Sequence, residues 1–316
     1  MTRSNPFGPK GWTPDRLGSL AGKTYVITGT TTGTGFQATR LLLAKGAQVV
    51  MMNRNPERAD GVVAAMKDEF GSQAQVSNVV MDLSRLDSVR RAADEVLETV
   101  PRIDALICNA AIAQVAVQER TPDGFESQLG VNHYAHFLLT ARLFDRIDAS
   151  RGRIVMVSSL AYKQGLKRIK FEDLDFSEGY SPWDSYAQSK LAQMMFGYEL
   201  HRRSQEAGRN VVVHVCHPGA SQTSLIQGDS VSLMLRVAWK LMAPLIAQSA
   251  EKGAYPEVMC ATEPGLAAEA LYGPTRRGET VGAVGQGTLQ AHALDREAAA
   301  KLWAISEEKT GMRLAL

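Results

Sequence analysis

The chain has 316 residues, enough for one large domain with a substantial buried core. Its 35 Lys and Arg residues nearly balance its 33 Asp and Glu residues, without a long run of like charge, so we predict no nucleic-acid partner. The three cysteines include no C-x-x-C pair and the six histidines form no ligand grouping, which predicts neither a disulfide framework nor a metal site.

Residues 1–22 are expected to form an N-terminal arm. They include Pro, Gly, Arg and Asp but no apolar run of signal-peptide length, which indicates a cytoplasmic protein. The remaining residues, 23–316, contain no internal repeat and no linker that would divide them. We therefore predict that they form a single domain.

Six short apolar runs alternate with helical stretches along this domain. Each run is nearly continuous in Val, Ile, Leu or Met, a pattern typical of parallel strands that are buried on both faces. One intervening helix is expected at 36–45, closed by Gly46, and another at 86–99, stopped by Pro101. The alternation predicts the α/β class, with a Rossmann-type doubly wound parallel β-sheet flanked by helices. The predicted strands are 24–28, 48–52, 76–81, 105–108, 153–157 and 211–216.

The octet TGTTTGTG, at residues 28–35, lies between the first strand and the first helix. This is the context of a phosphate-binding loop, because glycines let backbone N–H groups approach a pyrophosphate and the following helix offers its positive end. The spacing of Gly29, Gly33 and Gly35 matches neither the common G-x-G-x-x-G fingerprint nor a Walker loop. Thr31 and Thr32 are expected among the cofactor contacts. A turn without a ligand is the alternative interpretation of the octet.

The second strand ends in MMNRNPER, where a site that prefers NAD usually carries an acidic residue. Asn53 stands at that position and Arg54 follows it, so a ribose 2′-phosphate would meet a guanidinium group. The sequence therefore predicts NADP(H) rather than NAD(H) as the cofactor. The alternative is that Arg54 is an ordinary solvated surface residue.

Tyr186 and Lys190 lie four residues apart in SYAQSK, a spacing that places both side chains on one face of a helix. An ammonium group near a phenol favours the phenolate and lowers the phenol pKa from its usual value of about 10. The pair is therefore expected to transfer one proton near neutral pH. For this spacing alone, a surface pair without chemistry is the alternative.

Seven motifs follow one another along the chain: TGTTTGTG at 28–35, MDL at 81–83, CNAA at 108–111, VNHYAHFLLT at 131–140, SS at 158–159, YAQSK at 186–190 and HPGASQT at 217–223. Together they resemble the short-chain dehydrogenase/reductase family, classical type, from residue 23 to the C-terminal region. One residue departs from the family pattern, because Ala111 stands where the family usually has glycine. The change adds a methyl group next to the expected cofactor ribose and removes no functional group.

The resemblance implies four catalytic residues. Tyr186 would be the general acid in carbonyl reduction and the base in the reverse direction, while Lys190 would lower its pKa and hold the nicotinamide ribose. Ser159 would polarise the substrate carbonyl, and Asn132 would position a water that supplies protons to Lys190. Ser159 is chosen over Ser158 by analogy with the family, and the sequence alone does not exclude Ser158.

The resemblance also implies cofactor contacts beyond the glycine-rich loop. Asp82 would contact the adenine, Asn109 would line the cofactor and Thr223 would lie near the nicotinamide carboxamide. Neighbouring residues of the same motifs are expected in this site as well, namely Leu83, Pro218 and Gly219.

Two further stretches, FEDLDF at 171–176 and the C-terminal stretch 295–311, resemble the retinol-dehydrogenase-like and WW-domain-oxidoreductase-like branch. This branch implies a bulky, lipophilic alcohol or carbonyl substrate. The segment 223–261, rich in Leu, Met and Ile, is expected to form the substrate pocket.

The most apolar stretch of the chain, 231–247, lies within that segment. Arg236, Lys240 and Pro244 interrupt it, and it is shorter than the roughly 20 residues needed to cross a bilayer. We therefore predict no membrane span. Contact of this stretch with a membrane surface stays open, beside a position over an apolar pocket or core.

The main hypothesis is an NADP-dependent oxidoreductase, a carbonyl reductase or alcohol dehydrogenase, that transfers hydride between its cofactor and a small molecule. A catalytically silent NADP-binding sensor or scaffold is the alternative, and sugar-nucleotide epimerisation or dehydration is disfavoured by the glycine spacing. Relatives commonly pair through the helices that here hold 134–144 and 186–202. The sequence leaves a monomer, a homodimer and a homotetramer open.

Overall fold

In a computed structural model, which describes residues 5–221 and 247–316, one eight-stranded sheet runs through the molecule. Its strands occur in the order β3-β2-β1-β4-β5-β6-β7-β8. The strands are β1 Thr24–Thr28, β2 Gln48–Asn53, β3 Val76–Val80, β4 Ala105–Cys108, β5 Arg153–Val157, β6 Val212–Cys216, β7 Leu271–Arg276 and β8 Val281–Gln286.

Helices cover both faces of this sheet. They are α1 Gly33–Leu43, α2 Pro56–Phe70, α3 Leu86–Thr99, α4 Ser127–Leu129, α5 Ala135–Ala149, α6 Ala161–Gln164, α7 Pro182–Glu206, α8 Ala250–Thr262 and α9 Arg296–Thr310. Shorter turns are the 3₁₀ segments Pro14–Arg16 and Ala291–Leu294 and a π-helical turn, Gly130–Tyr134.

The core forms two layers that share the strands. Val26 of β1 belongs to the layer beneath α3, α5, α7 and α9, while its neighbour Ile27 belongs to the layer beneath α1, α2 and α8. Alternate strand residues point to opposite faces, so an all-apolar strand is required wherever both faces are covered. The predicted doubly wound α/β fold is confirmed.

The six predicted strands are present, with ends that differ by one residue at most. Two strands were missed, β7 and β8. β7 pairs in parallel with β6, whereas β8 returns antiparallel to β7, so the parallel prediction holds for β1–β7 and is wrong for β8. The reason is the short connection 277–280, in which Arg277, Gly278 and Glu279 have positive φ, because so short a turn permits only an antiparallel return.

Helix α1 begins at Gly33, three residues earlier than predicted, and ends at Leu43. The last two glycines of the octet are therefore part of the first helical turn. No acidic residue occupies that turn, so the positive end of the helix is uncompensated by its own side chains.

The N-terminal arm packs against the domain over its described residues. Trp12 is 1% exposed, its backbone N–H donates to the carbonyl of Val284 at 2.9 Å, and its Nε1 donates to Glu263 at 2.8 Å. Arg16 forms an ion pair with the same Glu263. Within residues 5–221 and 247–316, no helix is long and apolar enough to cross a membrane.

Candidate active site

The glycine-rich loop leaves β1 and enters α1 at the carboxyl edge of the sheet. Gly29 has φ +72°, and a Cβ added there would lie 2.8 Å from the Cβ of Ala110. At Gly35 an added Cβ would lie 2.3 Å from the carbonyl oxygen of Gly29. Side chains at either position would push the loop apart, so these two glycines serve the tight internal packing of the loop.

The other predicted loop residues line the start of α1. Gly33, with φ +65°, is its first helical residue, and Thr32 occupies the N-cap position. Thr31 is partly exposed just before it. The first N–H groups of an α-helix have no acceptor within the helix, which is the feature that a phosphate-binding loop uses.

Asn109, directly after β4, holds the loop in place. Its Nδ2 donates to the carbonyl oxygens of Thr28 and Gly29, each at 2.9 Å, and its Oδ1 accepts from the hydroxyl of Thr34 at 2.9 Å. Both polar side-chain atoms of Asn109 therefore form hydrogen bonds with the loop. Asn109 lies at the expected place, and its visible task is to shape the loop.

Asn53, at the end of β2, is used in a similar way. Its Oδ1 accepts from the backbone N–H of Thr30 at 2.7 Å, and its Nδ2 donates to the hydroxyl of Thr30 and to Asn78, both at 2.8 Å. Arg54 follows on the exposed side and forms no ion pair with any residue in 5–221 or 247–316. Its guanidinium is therefore available to a phosphate group.

The remaining predicted cofactor residues sit at neighbouring strand ends. Asp82 follows β3, is partly exposed and accepts hydrogen bonds from the backbone and hydroxyl of Ser84, while Leu83 is buried beside it. Pro218 and Gly219 follow β6, and Gly219 has φ +66°. Thr223 lies outside the described residues.

Ser159 and Tyr186 meet at the end of β5. Tyr186 is 6% exposed, and burial raises the pKa of its phenol above 10, an effect that a hydrogen bond with the Ser159 hydroxyl opposes. The neighbouring Ser158 is buried and donates its hydroxyl to the carbonyl oxygen of Lys190 at 3.0 Å. Of the two serines that the sequence left open, Ser159 is therefore the one that faces Tyr186.

Lys190 lies one helical turn after Tyr186 on α7 and is buried. Its Nζ donates to the carbonyl oxygen of Val157 at 2.8 Å and to Oε1 of Gln193 at 3.0 Å. Burial lowers the pKa of Lys190 from 10.5 to about 7. The lowered pKa expected for Tyr186 is not seen here, because burial of the phenol dominates and the Lys190 ammonium is directed at Val157 and Gln193.

Asn132 lies in the π-helical turn Gly130–Tyr134, an irregularity common at functional sites. Its side chain exchanges two hydrogen bonds with the backbone of Ile112, both at 2.9 Å, and donates to the hydroxyl of Ser189 at 2.9 Å. Asn132 therefore ties the segment after β4 to α7, the helix that carries Tyr186 and Lys190.

Sequence reasoning missed two residues that support this site. Gln193 accepts from Lys190, and its Nε2 donates to the carbonyl oxygen of Cys108 at 3.2 Å, which fixes the orientation of the amide. His136 lies between the hydroxyl of Thr28, at 3.0 Å, and the carbonyl oxygen of Asn132, at 3.1 Å. Both lie one turn beyond a motif residue on the same helical face, a spacing that could have indicated them.

A cavity of about 500 Å³ lies between the N-terminal arm, α8 and the β7–β8 hairpin, lined among others by Trp12 and Tyr255. Neither Tyr186 nor Lys190 lines this cavity. The predicted pocket segment 223–261 falls outside the described residues up to 246. In the part of the chain that the structure describes, no three His, Cys, Asp or Glu side chains group as metal ligands.

Comparisons with known proteins identify relatives of this chain in one family. The family model described as short chain dehydrogenase matches residues 23–171. Retinol dehydrogenase 14 of Mus musculus is 35% identical over 305 residues, covering 93% of this chain and 88% of that protein. Retinol dehydrogenase 13 of Homo sapiens is 35% identical and covers 93% of this chain and 86% of that protein. The crystal structure of an uncharacterised protein from Mycobacterium paratuberculosis, 35% identical with a TM-score of 0.78, covers 97% of this chain and 100% of that chain.

The chain therefore belongs to the short-chain dehydrogenase/reductase family, a class of oxidoreductases that act on alcohol and carbonyl groups with a nicotinamide dinucleotide. Within this family it stands in the retinol-dehydrogenase-like branch, as the identities with those relatives show. The family and branch predicted from the motifs are confirmed.

Proposed function

We propose that the protein is an NADP(H)-dependent oxidoreductase that interconverts an alcohol and a carbonyl group on a bulky, lipophilic substrate. The observation that carries the proposal is the contact between the Ser159 and Tyr186 hydroxyls, with Lys190 one turn further on and the glycine-rich loop at the same sheet edge. Ligands of doubly wound sheets bind at this edge.

In the proposed reduction, Ser159 donates a hydrogen bond to the substrate carbonyl oxygen and so polarises it. Tyr186 then gives its phenolic proton to that oxygen, and in the oxidation it removes the proton. The bound nicotinamide supplies or accepts the hydride. Tyr186 is protonated at neutral pH, as proton donation to a carbonyl oxygen requires, but burial raises the pKa of its phenol and so makes it a weaker acid, which is why support from Lys190 is part of the proposal.

Lys190 is proposed to hold the cofactor ribose and to support Tyr186. An ammonium group has three N–H donors, and the described residues accept from two of them, through Val157 and Gln193. The third donor is available to a ribose hydroxyl. A bound anionic dinucleotide would also raise the pKa of Lys190 from about 7 and keep it charged.

The NADP(H) preference rests on Arg54, which is exposed and has no carboxylate partner among the described residues. Asn53, at the position that would carry an acid in an NAD site, is neutral and committed to the loop. We expect Arg54→Ala to weaken NADPH binding by on the order of tenfold or more and NADH binding little, as loss of a charge-assisted phosphate contact would. Arg58→Ala, on the exposed first turn of α2, is the control and should leave both affinities unchanged.

The proposed substrate class rests on the relatives and on composition. The relatives are named retinol dehydrogenases, and the segment 223–261 is rich in apolar and methionine side chains. The test is a screen of ketones, aldehydes and alcohols with NADP(H) and NAD(H), followed by nicotinamide absorbance. Higher turnover of small polar carbonyls than of large apolar ones would reject the lipophilic class.

A cofactor-binding sensor without turnover is the second candidate. The Tyr186→Phe variant distinguishes an enzyme from a sensor. Its control is Tyr198→Phe, on the same helix, which removes a buried hydroxyl that donates to the carbonyl oxygen of Ala270. For an enzyme, turnover is lost in the first variant while NADPH still binds, and the second retains turnover. Equal activities in wild type and Tyr186→Phe would remove Tyr186 from the mechanism.

A further inference from the structure

Glu279, in the turn between β7 and β8, is a largely buried acid that the proposed reaction does not use. Its Oε2 accepts from Nζ of Lys163 at 2.5 Å, and its Oε1 accepts from the backbone N–H of Thr288 at 2.7 Å. The Glu279 and Lys163 side chains are only 14% and 16% exposed. Burial raises the pKa of the Glu279 carboxyl, but the hydrogen bonds from Lys163 and Thr288 outweigh burial, so this pKa lies below its ordinary value. The group is therefore an ionised carboxylate with both oxygens bonded.

The backbone accommodates this acid at some cost. Glu279 has φ +68°, a left-handed conformation that is uncommon for residues other than glycine. The position of the carboxylate also depends on Gly287, because a Cβ added there would lie 3.1 Å from Oε2 of Glu279. A strained residue that keeps a charged group inside the molecule indicates a role for that group.

On one side, Glu279 holds the segment that follows Ser159. Lys163 belongs to α6, whose first residue, Ala161, donates its backbone N–H to the Ser159 hydroxyl oxygen at 3.2 Å. The ion pair between Lys163 and Glu279 thus fixes the position of α6. With α6 it fixes the hydroxyl that meets Tyr186.

On the other side, the same carboxylate faces the segment 217–220, which follows β6. Burial lowers the pKa of His217 from 6.5 to about 4, so its ring is neutral. Its Nδ1 accepts from the backbone N–H of Gly219 at 3.2 Å, which leaves the ring proton on Nε2. This Nε2 lies 4.0 Å from Oε2 of Glu279 and has no hydrogen-bond partner within residues 5–221 and 247–316. The carboxylate therefore lies next to the positive end of the imidazole N–H dipole.

The turn also contacts this segment through its backbone. The carbonyl oxygen of Thr280 accepts from the backbone N–H of Ala220 at 2.8 Å. A Cβ added at Gly219 would lie 2.3 Å from the same oxygen, so the close approach of the turn requires glycine there. The turn that carries Glu279 and the predicted cofactor segment are therefore packed as one unit.

We propose that Glu279 is a positioning residue that joins the Ser159 side of the active site to the cofactor side and so sets the distance between the substrate carbonyl and the nicotinamide. The inference rests on the proposed function, because it takes Ser159 to bind the substrate oxygen and the segment 217–219 to contact the cofactor. Glu279 touches neither reactant and acts through Lys163 and through its own turn.

A loose connection between the two sides would affect hydride transfer more than binding. Misplacement of reacting groups by about 1 Å can lower a rate on the order of a hundredfold. The phosphate groups of the dinucleotide are proposed to bind at the glycine-rich loop and at Arg54, at the ends of β1 and β2, where Glu279 makes no contact. The expected effect of losing the connection is slower hydride transfer with little change in cofactor affinity.

The test is Glu279→Gln in the full chain, with NADPH and the best carbonyl substrate of the proposed screen. Glutamine keeps the size of the side chain and an acceptor for Thr288, but it lacks the charge that binds Lys163. We expect the single-turnover rate of NADPH oxidation to fall by on the order of tenfold or more. The dissociation constant of NADPH, measured by fluorescence, should stay within about twofold of the wild-type value.

Lys163→Met breaks the same ion pair from α6 and decides the question should Glu279→Gln fail to fold. Because both substitutions remove one contact, the double variant should be no slower than the slower single variant. Independent, multiplicative losses in the double variant would contradict action through this pair.

Asp173→Asn is the matched control. Asp173 pairs with Lys170 at 2.7 Å, and these side chains are 15% and 22% exposed, so the substitution removes a comparable charge. Both residues lie within 170–173, so their ion pair does not bridge distant segments. We expect lower stability with an unchanged rate of hydride transfer.

A Glu279→Gln protein with the wild-type rate of hydride transfer would overturn the inference. An equal loss of rate in Asp173→Asn would assign the effect to general loosening of the fold, and a parallel loss of NADPH affinity would assign it to cofactor binding; either result contradicts positioning. If the wild type converts no alcohol or carbonyl, the proposed function fails and the inference fails with it. With wild-type turnover present, a negative result concerns Glu279 alone.

Discussion

The Nζ of Lys190 lies 3.0 Å from Oε1 of Gln193, a residue outside the Tyr-x-x-x-Lys motif. Through its Nε2, Gln193 reaches the carbonyl oxygen of Cys108 at the end of β4, while Lys190 itself reaches that of Val157 at the end of β5. Gln193 thus fixes the ammonium between two adjacent strand ends. A hydrogen-bond acceptor favours the charged form of a buried lysine and so resists the effect of burial on its pKa.

We therefore expect Gln193→Met to lower the pKa of Lys190 below its value of about 7. A hydrogen bond to a charged group contributes about 1.5–3 kcal/mol, which corresponds to a shift of roughly one to two pH units. If charged Lys190 is needed for turnover, the descending limb of kcat/KM against pH moves to lower pH by about that amount. The measurement is a pH–rate profile at saturating NADPH.

Gln188→Met is the matched control for this prediction. Gln188 is also buried on α7 and bonds the backbone of Lys170 and Leu174, but it does not contact Lys190. The Gln188→Met variant should be less stable than the wild type, but its profile of kcat/KM against pH should be unchanged. Equal shifts in the two variants would show that general loosening of α7, rather than contact with Lys190, sets the profile.

The two adjacent serines give a second prediction. Ser159→Ala removes the hydroxyl that meets Tyr186, and we expect kcat/KM to fall by on the order of a hundredfold or more with NADPH affinity unchanged. Ser158→Ala removes a buried hydrogen bond to the carbonyl of Lys190 and should instead lower stability by about 1 kcal/mol. The reverse pattern would assign the catalytic hydroxyl to Ser158.

The third prediction concerns stability. The pKa of Glu257, which is buried on α8, is about 8 in the folded chain against 4.5 for the ordinary group, so the folded state binds its proton more tightly. Stability from this group is full below about pH 4.5 and is lost as the pH rises towards 8. Glu257→Gln does not titrate, so its advantage in free energy of unfolding should grow across this range, to at most about 5 kcal/mol.

Denaturant unfolding at pH 5, 6, 7 and about 8.5 measures that difference. Glu251→Gln, on the exposed side of the same helix, should differ from the wild type by a constant amount at all four values. A constant difference for Glu257→Gln as well would mean that the carboxyl group is already hydrated or paired in the native protein.

The sequence was sufficient to predict strands β1 to β6. A strand covered by helices on both faces needs apolar side chains at successive positions, as at Val26 and Ile27, and this continuous run is visible in the sequence. The sequence was insufficient for β7 and β8. Their sequences, LYGPTR and VGAVGQ, contain Pro and Gly, which are unfavourable inside a strand, so the local sequence does not predict strands there. Pairing with β6 and with the N-terminal arm, through Trp12, overrides that local preference.

The motifs predicted the helical placement of Tyr186 and Lys190, but not the hydrogen bonds and burial that set their pKa values. The spacing of Tyr186 and Lys190 correctly placed both on α7, but it could not show that Lys190 is directed at Val157 and Gln193. The state of Glu257 could not be predicted at all. Its burial depends on the approach of α8 to α1 at Gly253, a contact between residues far apart in the chain.

The final prediction concerns the C-terminal helix. Trp303 on α9 is 4% exposed and packs against Phe137 of α5 and Phe196 of α7, with ring centroids 5.6 and 5.7 Å away. Helix α9 thus covers part of the apolar face formed by α5 and α7. Trp303→Ala should lower the free energy of unfolding by about 3–5 kcal/mol, as for other large-to-small core substitutions, and uncover apolar surface between α5 and α7.

Denaturant unfolding and light scattering measure the two effects of this substitution. Trp183→Ala, at a tryptophan that is 39% exposed, is the control and should change stability by less than about 1 kcal/mol without altering the molar mass. Because the aromatic faces of Phe137 and Phe196 lose their cover only in Trp303→Ala, self-association is expected to rise in that variant alone. A Trp303→Ala protein that is as stable as the wild type, with unchanged mass, would mean that α9 does not close this face in solution.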